Sequence, residues 1–208
     1  MPNVSNLYIG WSSSARPDSA AIMAEPTAPA NYKNHDLIAT YVAEAKVKQL
    51  RLASRVPGLA YLSEVCVLDG GGTAVLECGG SPAPSCSELT KFFTGWRPWL
   101  RDYDRWAEAG AAPTSWLFGF EVADFFAILA HQAMSSGATV PVRFLRSAYP
   151  GLVDPYCLLL CAEDRKLFPL PQLLKLFKFE AGGGSPSRVA AEAARHLIAR
   201  VNFGYWGS

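Results

Sequence analysis

Histidine and cysteine are the side chains most often used for metal binding and nucleophilic chemistry, and this chain has three histidines and five cysteines. His35, His131 and His196 lack the HExxH spacing of a zinc protease, and no GxSxG motif accompanies them. The cysteines form no CxxC pair, so we predict no zinc site. We expect buried, reduced thiols at all five positions: Cys66, Cys78, Cys86, Cys157 and Cys161.

Phosphate chemistry needs glycine-rich loops or clustered cations. The DGGGT run at residues 69–73 lies between two predicted strands and lacks the GK[ST] of a phosphate-binding loop, so it predicts a hairpin turn. Lys46, Lys48, Arg51 and Arg55 crowd the second half of a predicted helix. Cations there suit the helix dipole. A patch that faces phosphates is the alternative interpretation.

The composition is that of a globular domain with enough apolar residues for a core, since 50% are hydrophobic and 18% are charged. The formal net charge of +1 gives no global attraction to nucleic acid, so any such binding requires a local patch. No signal peptide and no apolar run long enough to span a bilayer are evident. We therefore expect a cytoplasmic protein that has no membrane partner.

Hydrophobic periodicity predicts strands and helices that alternate along the chain, as in an α/β fold with mixed strand directions. The predicted strands cover residues 7–11, 62–68, 74–78, 116–120, 140–145 and 152–160. The predicted helices cover residues 36–53, 87–96, 123–135, a short segment after Pro171, and 186–201 with Ser185 as the cap. Residues 12–29 are predicted to form a loop. Residues 97–115 form an aromatic-rich insertion that carries Trp99, Tyr103 and Trp106.

The order of four segments resembles the predicted 3′–5′ exonucleases of the ribonuclease H-like superfamily, a DEDD-type group. LYIGWSS at residues 7–13 is similar to the family's LYIDIET, and PANYKNHDLIATYVAEAK at residues 29–46 to PANYKDPEKIAAYIAEKK. FGFEVADFFAILAHQA at residues 118–133 is similar to GFNVxxFDLPFLxxRA, and VDPYCLL at residues 153–159 to VDTxxLL. The resemblance covers nearly the whole chain and implies one ribonuclease H-like domain over residues 1–208, with a five-stranded mixed sheet.

The chemistry of that family requires carboxylates that hold two divalent ions. At the positions of its first two acidic ligands this chain has Gly10 and Ser12, and the next falls near Asp124. The family's YCxxDV motif corresponds to residues 196–201, which places Arg200 where an aspartate is expected. The resemblance therefore implies a degenerate catalytic site with no expected cofactor, in which Arg200 lies beside Gly10 and Ser12.

Three hypotheses follow from the resemblance. The first is a pseudo-exonuclease of a phage or mobile element that binds single-stranded nucleic acid through Trp11, Phe120, His196 and Arg200. The second is an active exonuclease that uses Mg²⁺ or Mn²⁺ held by displaced ligands: Glu121, Asp124, Asp154 and, as a further candidate, Asp18. The third is an accessory subunit that binds a protein such as a polymerase, helicase or nuclease through residues 97–115 and the aromatic tail at residues 203–206.

Overall fold

The structure is a computed structural model, and it describes residues 6–19, 23–79, 86–95, 116–137, 152–155 and 170–200. The strands are β1 (Asn6–Ala15), β2 (Ala60–Leu68), β3 (Ala74–Gly79), β4 (Trp116–Gly119) and β5 (Leu152–Val153). The helices are α1 (His35–Ala53), α2 (Cys86–Gly95), α3 (Val122–Ser135), α4 (Leu170–Leu176) and α5 (Pro186–Ile198).

β1 is the central strand, because its alternating apolar residues supply two cores. Leu7 and Ile9 are buried on one face, and Tyr8 is buried on the other. The predicted strand at residues 7–11 is confirmed, but β1 continues to Ala15, so the loop predicted from residue 12 begins later. These residues are extended because they pair with β2, with Ser12 opposite Glu64 and Ala15 opposite Ala60, across a shift of register between Ser12 and Ser13.

Four strands of at least four residues form a mixed sheet, and the two-residue β5 pairs with β4 at its edge. The order is β3-β2-β1-β4-β5. β2 runs antiparallel to both β1 and β3, whereas β4 runs parallel to β1 and β5 runs parallel to β4. The predicted α/β class with mixed strand directions is confirmed.

Helices cover both faces of the sheet. On one face, α3 contributes Phe125, Ile128 and Leu129, and α2 contributes Leu89, to a core with Leu7 and its neighbours. On the other face, α5 packs small residues such as Ala191 and Ala194 against the sheet. Small side chains let the backbone of α5 approach β1 closely, and this approach shapes the candidate site.

Local signals in the sequence explain where these elements begin. Asn34 caps α1 by accepting a hydrogen bond from the backbone N–H of Asp36, and Ser185 caps α5 by accepting one from that of Arg188. Pro186 follows at the first helical position, as predicted. The β2–β3 turn places Gly72 at a φ of 87°, which favours glycine, so the predicted hairpin is confirmed.

Some predictions differ from the structure or lie outside its described residues. Of the strand predicted at residues 152–160, the structure shows Leu152–Val153, followed by residues 154 and 155. The predicted strand at residues 140–145, the insertion at residues 97–115 and the tail at residues 203–208 lie outside the described residues. Among the cysteines, Cys66 is buried as predicted, Cys78 is only partly buried, and the other side chains lie outside the described part.

Candidate functional site

A cleft of about 630 Å³ lies where β4 ends and its pairing with β1 stops, and it brings polar, cationic and aromatic side chains together. The carboxyl ends of adjacent parallel strands are a usual place for ligands in α/β sheets. The described residues that line the cleft are Ile9, Gly10, Trp11, Ser12, Ser13, Arg51, Ser54, Arg55, Phe120, Glu121, Leu170 and Ala190.

Trp11 is held in a defined orientation in this cleft. Its indole Nε1–H donates a hydrogen bond of 2.9 Å to the carbonyl oxygen of Phe120, directly after β4. Its ring also packs against that of Phe125 on α3, with 6.0 Å between the ring centroids. The guanidinium carbon of Arg55 lies 5.6 Å from the centre of the Trp11 ring, within the range of a cation–π contact. The cation therefore lies over one face of the indole ring.

Glu121 adds an ion pair and a strained backbone. Its carboxylate pairs with the guanidinium of Arg55, and both side chains are about half exposed. The φ of Glu121 is 52°, in the left-handed region, where a residue other than glycine costs about 1–2 kcal/mol. Its backbone N–H donates a 3.3 Å hydrogen bond to a carboxylate oxygen of Asp154. Such strain is concentrated at functional sites, so it supports this cleft as one.

Positive charge exceeds negative charge along the lining. Arg51 and Arg55 are its cations, and Glu121 is the one carboxylate among the described lining residues. Because Glu121 pairs with Arg55, Arg51 is left as an uncompensated cation at the cleft wall. No carboxylate is paired with Arg51 in the described part of the chain. The cleft is therefore electrostatically suited to an anion.

Gly10 lies where the resemblance expects a metal-binding aspartate, and α5 fills the space that a side chain would need. A Cβ atom at this position would overlap the carbonyl oxygen of Ser187 and lie 2.5 Å from the backbone nitrogen of Ala191. Ser12, the second motif position, has its hydroxyl 2.9 Å from the hydroxyl of Ser63. Neither position offers a negative charge.

Cys66 lies beside Gly10 on the same covered face, because the two residues are partners in the β1–β2 ladder. Burial, together with the nearby Glu77 carboxylate, raises the pKa of its thiol to about 11. The thiol is therefore protonated at neutral pH. It functions as a small apolar side chain beneath α5.

The structure does not place Arg200 beside Gly10, so that expectation is wrong. Gly10 contacts the first turns of α5, whereas Arg200 follows its last turn, nine residues after Ala191 and roughly 13 Å further along. Near that end, Ile198 packs in the same cluster as Tyr8, toward the amino end of β1. The motif match at residues 196–201 therefore pointed to the wrong end of the helix.

His196 and Arg200 instead form a contact of their own. Nε2 of His196 lies 2.8 Å from the carbonyl oxygen of Phe177 and 2.9 Å from Nε of Arg200. The ring of His196 also meets the ring of Phe179 edge-on. Neither His196 nor Arg200 is among the described residues that line the cleft. Of the four nucleic-acid-binding residues predicted from the sequence, the cleft contains Trp11 and Phe120.

The acidic residues of the active-enzyme hypothesis are only partly brought together. Glu121 and Asp154 are adjacent through their hydrogen bond, but the Glu121 carboxylate is engaged by Arg55. Asp124 is exposed in the first turn of α3 and does not line the cleft. In the described ranges, no three His, Cys, Asp or Glu side chains are grouped so that they could hold a metal ion.

Arg51 and Arg55 were predicted from the sequence as candidates for a phosphate-facing patch, but not as cleft residues. The signal was their spacing of four residues, which places Arg51 in the last turn of α1 and Arg55 directly after its C-cap, Ser54. What the spacing could not reveal was that this end lies beside the carboxyl end of β1. The hydrogen bond from the Ser13 hydroxyl to the carbonyl oxygen of Ser54, 2.6 Å long, joins the two elements.

Comparison of the chain with models of known protein families gives no match, and comparison with curated proteins gives no significant match. Among the described helices, none is both long enough and apolar enough to cross a membrane.

Proposed function

We propose that this chain is a ribonuclease H-like, exonuclease-like domain that binds single-stranded nucleic acid in its cleft without cutting it. It would serve as a binding or scaffolding subunit in phage or mobile-element nucleic-acid processing. The observation that carries the proposal is the guanidinium of Arg55 over the ring of Trp11, which lies on β1 between the two positions where the resemblance implies catalytic carboxylates, Gly10 and Ser12.

The sheet supports the fold part of the proposal. A central β1 has an antiparallel hairpin on one side and the parallel strands β4 and β5 on the other, and only β2 runs against the rest. A mixed sheet flanked by helices is what the resemblance implies. α3 follows β4 directly and α5 covers the opposite face, where the resemblance expects the helices of the second and last acidic motifs.

The cleft chemistry supports binding of a single strand. Sequence-tolerant recognition of single-stranded nucleic acid combines aromatic rings that stack on bases with cations that neutralise phosphates. Trp11 and Phe120 supply rings, and Arg51 and Arg55 supply cations, within one cavity of about 630 Å³. A net charge of +1 gives no general attraction to nucleic acid, so binding requires a local cationic patch, and these two arginines supply one.

The two motif positions on β1 support the absence of cutting. Two-metal hydrolysis requires carboxylate ligands close to the scissile phosphate. Gly10 and Ser12 bring none, and the backbone of α5 occupies the space beside Gly10. Arg55 also opposes a metal ion electrostatically at the side of the cleft where Glu121 lies.

The binding experiment measures the affinity for a labelled thymidine oligomer by fluorescence anisotropy. Trp11→Ala is expected to weaken binding about tenfold, since stacking on one aromatic ring contributes 1–3 kcal/mol per base. Arg55→Gln is expected to weaken it by a similar factor. Arg200→Gln is the matched control, because it removes the same charge outside the cleft, and it should leave the affinity within about twofold. Equal losses for both arginine variants would contradict a site in the cleft.

Glu121→Gln separates the proposal from an active exonuclease. In a binding cleft, the Glu121 carboxylate competes with phosphate for Arg55, so the variant should bind the oligomer about threefold more tightly. In an enzyme that uses Glu121 or Asp154 as metal ligands, the same variant should lose activity. Digestion of the oligomer with Mg²⁺ or Mn²⁺ that disappears in Glu121→Gln, Asp124→Ala or Asp154→Asn would overturn the proposal. Absence of any binding would leave a purely protein-binding subunit.

A further inference from the structure

Cationic side chains continue from the cleft along α1. Arg51 and Arg55, which follows the C-cap of α1, line the cleft. Lys48 lies three residues before Arg51 and therefore on the same face of α1. All three side chains are exposed, as is Lys46 on the opposite side of the helix. Neither Lys48 nor Arg51 is ion-paired in the part of the chain that the structure describes.

The same helix face ends in an aromatic pair. Tyr41 is seven residues before Lys48 and therefore lies on the same side of α1. Its ring packs against that of Tyr32, with 5.5 Å between the centroids and 57° between the planes. Tyr32 remains 38% exposed, so its ring has a face available to solvent. The distance along α1 from Arg51 to Tyr41 is roughly 15 Å, at 1.5 Å per residue.

We propose that α1 is a second binding segment for the single strand, which leaves the cleft over Arg51 and Lys48 and stacks a base on the Tyr32–Tyr41 pair. This inference rests on the proposed function of the cleft. The strand is favoured over an acidic protein because the cations lie between two aromatic platforms, Trp11 at one end and the tyrosine pair at the other. A polyanion without bases would gain nothing from either platform.

One carboxylate opposes the strand on this face. Glu44 lies four residues before Lys48 and three after Tyr41, and it is exposed. Its negative charge repels the phosphates of the strand at one point, but it does not neutralise the three cations. This makes it a useful probe, because its removal should strengthen binding only of a strand that reaches this part of α1.

The experiment compares a short thymidine oligomer of about 4 nucleotides, which fills the cleft, with one of about 12 nucleotides, which reaches along α1. The longer oligomer should bind at least tenfold more tightly. Lys48→Gln should weaken only the longer oligomer, by about threefold, and reduce the slope of log K against log salt by about 0.7. Glu44→Gln should raise the affinity for the longer oligomer only, by about twofold.

Lys46→Gln is the matched control, since Lys46 is on the opposite side of α1 and is paired with Glu25 at 3.0 Å. It should leave both affinities unchanged. Tyr32→Ala should weaken the binding of the longer oligomer. The affinity of the variant for heparin, a polyanion without bases, should be unchanged. Circular dichroism checks that α1 remains helical in each variant.

The outcomes distinguish the two proposals. If the short oligomer binds through Trp11 but length, Lys48→Gln and Tyr32→Ala have no effect, the α1 segment is rejected and the cleft stands. If Lys46→Gln and Lys48→Gln have equal effects, the helix attracts anions only generally and the segment is also rejected. If neither oligomer binds, the proposed function of the cleft fails.

Discussion

The two faces of β1 have different surroundings at neighbouring positions of the strand. On the face of Gly10, the backbone of α5 lies against the strand so closely that no side chain fits. On the face of Trp11, the strand opens into the cleft, and the indole is in contact with Arg55 and the carbonyl oxygen of Phe120. The two residues are adjacent in sequence, and the alternation of a β-strand separates them.

The difference shows how two adjacent residues of one strand can have opposite environments. At Gly10, the first position that the resemblance assigns to a metal ligand, the strand is packed against α5, with the Cys66 thiol buried beside it. The neighbouring face keeps exposed cations and partly buried rings, which suit a bound strand. Four variants or measurements test this contrast within the protein itself.

The largest effect on stability is expected for a substitution on the closed face, at Gly10. Gly10→Ala places a methyl group against the carbonyl oxygen of Ser187, so α5 has to move away from the sheet. We expect the free energy of unfolding to fall by about 3 kcal/mol, at the upper end of overpacking substitutions. Urea denaturation measures this change. Gly70→Ala is the control, because a Cβ there meets no atom within 4 Å, and it should change stability by less than about 0.5 kcal/mol.

A similar loss in both glycine variants would mean that α5 is not packed against β1 as described. In that case, the closed face would have room for a ligand, and the contrast between the two faces of the strand would disappear.

An intermediate effect is expected for the reactivity of Cys66. Because burial raises the pKa of its thiol from 9.0 to about 11, the thiolate is about 100-fold less abundant than in the unfolded chain at pH 8. Alkylation by iodoacetamide, followed by mass spectrometry of the Cys66 peptide, should be at least that much slower in the folded protein than in urea. Fast labelling of Cys66 under native conditions would show that α5 opens readily.

The same shift sets a pH dependence of stability. The folded-state pKa of Cys66 is above the unfolded one, so its contribution is fully present below about pH 9 and is lost as pH rises toward 11. The melting temperature should therefore fall over this range, and Cys66→Ala should reduce the fall.

The smallest effect is expected on the open face. Trp11→Phe keeps a ring in the cleft but removes the 2.9 Å hydrogen bond to the carbonyl oxygen of Phe120. The free energy of unfolding should fall by about 1 kcal/mol, the usual net contribution of one hydrogen bond. Urea denaturation tests this under the conditions used for Gly10→Ala. A loss as large as that of Gly10→Ala would mean that the open face is as important to the core as the closed one.

Much of the fold could be predicted because local signals specify it. The DGGGT turn fixes a hairpin, Asn34 fixes the start of α1, and the Ser185–Pro186 pair fixes the start of α5. Alternation predicted the centre of β1 but not its end. Ser12 and the three residues after it are polar or small, and they are extended only because β2 pairs with them.

The candidate site was less predictable, because its contacts join residues far apart in the chain. Trp11 and Phe120 were predicted from strand positions, and the parallel pairing of β1 with β4 brings them together. The pairing of Arg55 with Glu121 depends on how the end of α1 lies against the sheet, which no local pattern encodes. The Arg200 prediction was wrong for a similar reason: a motif match along a helix does not show which of its turns faces β1.

The close approach of α5 to Gly10 also constrains how this sequence can change over time. Position 10 tolerates only glycine while the thirteen-residue helix keeps its place, because a backbone, rather than a movable side chain, fills the gap. An acidic side chain at position 10 therefore requires a compensating shift of a whole helix. A single substitution there cannot supply a carboxylate to the cleft while α5 keeps its place.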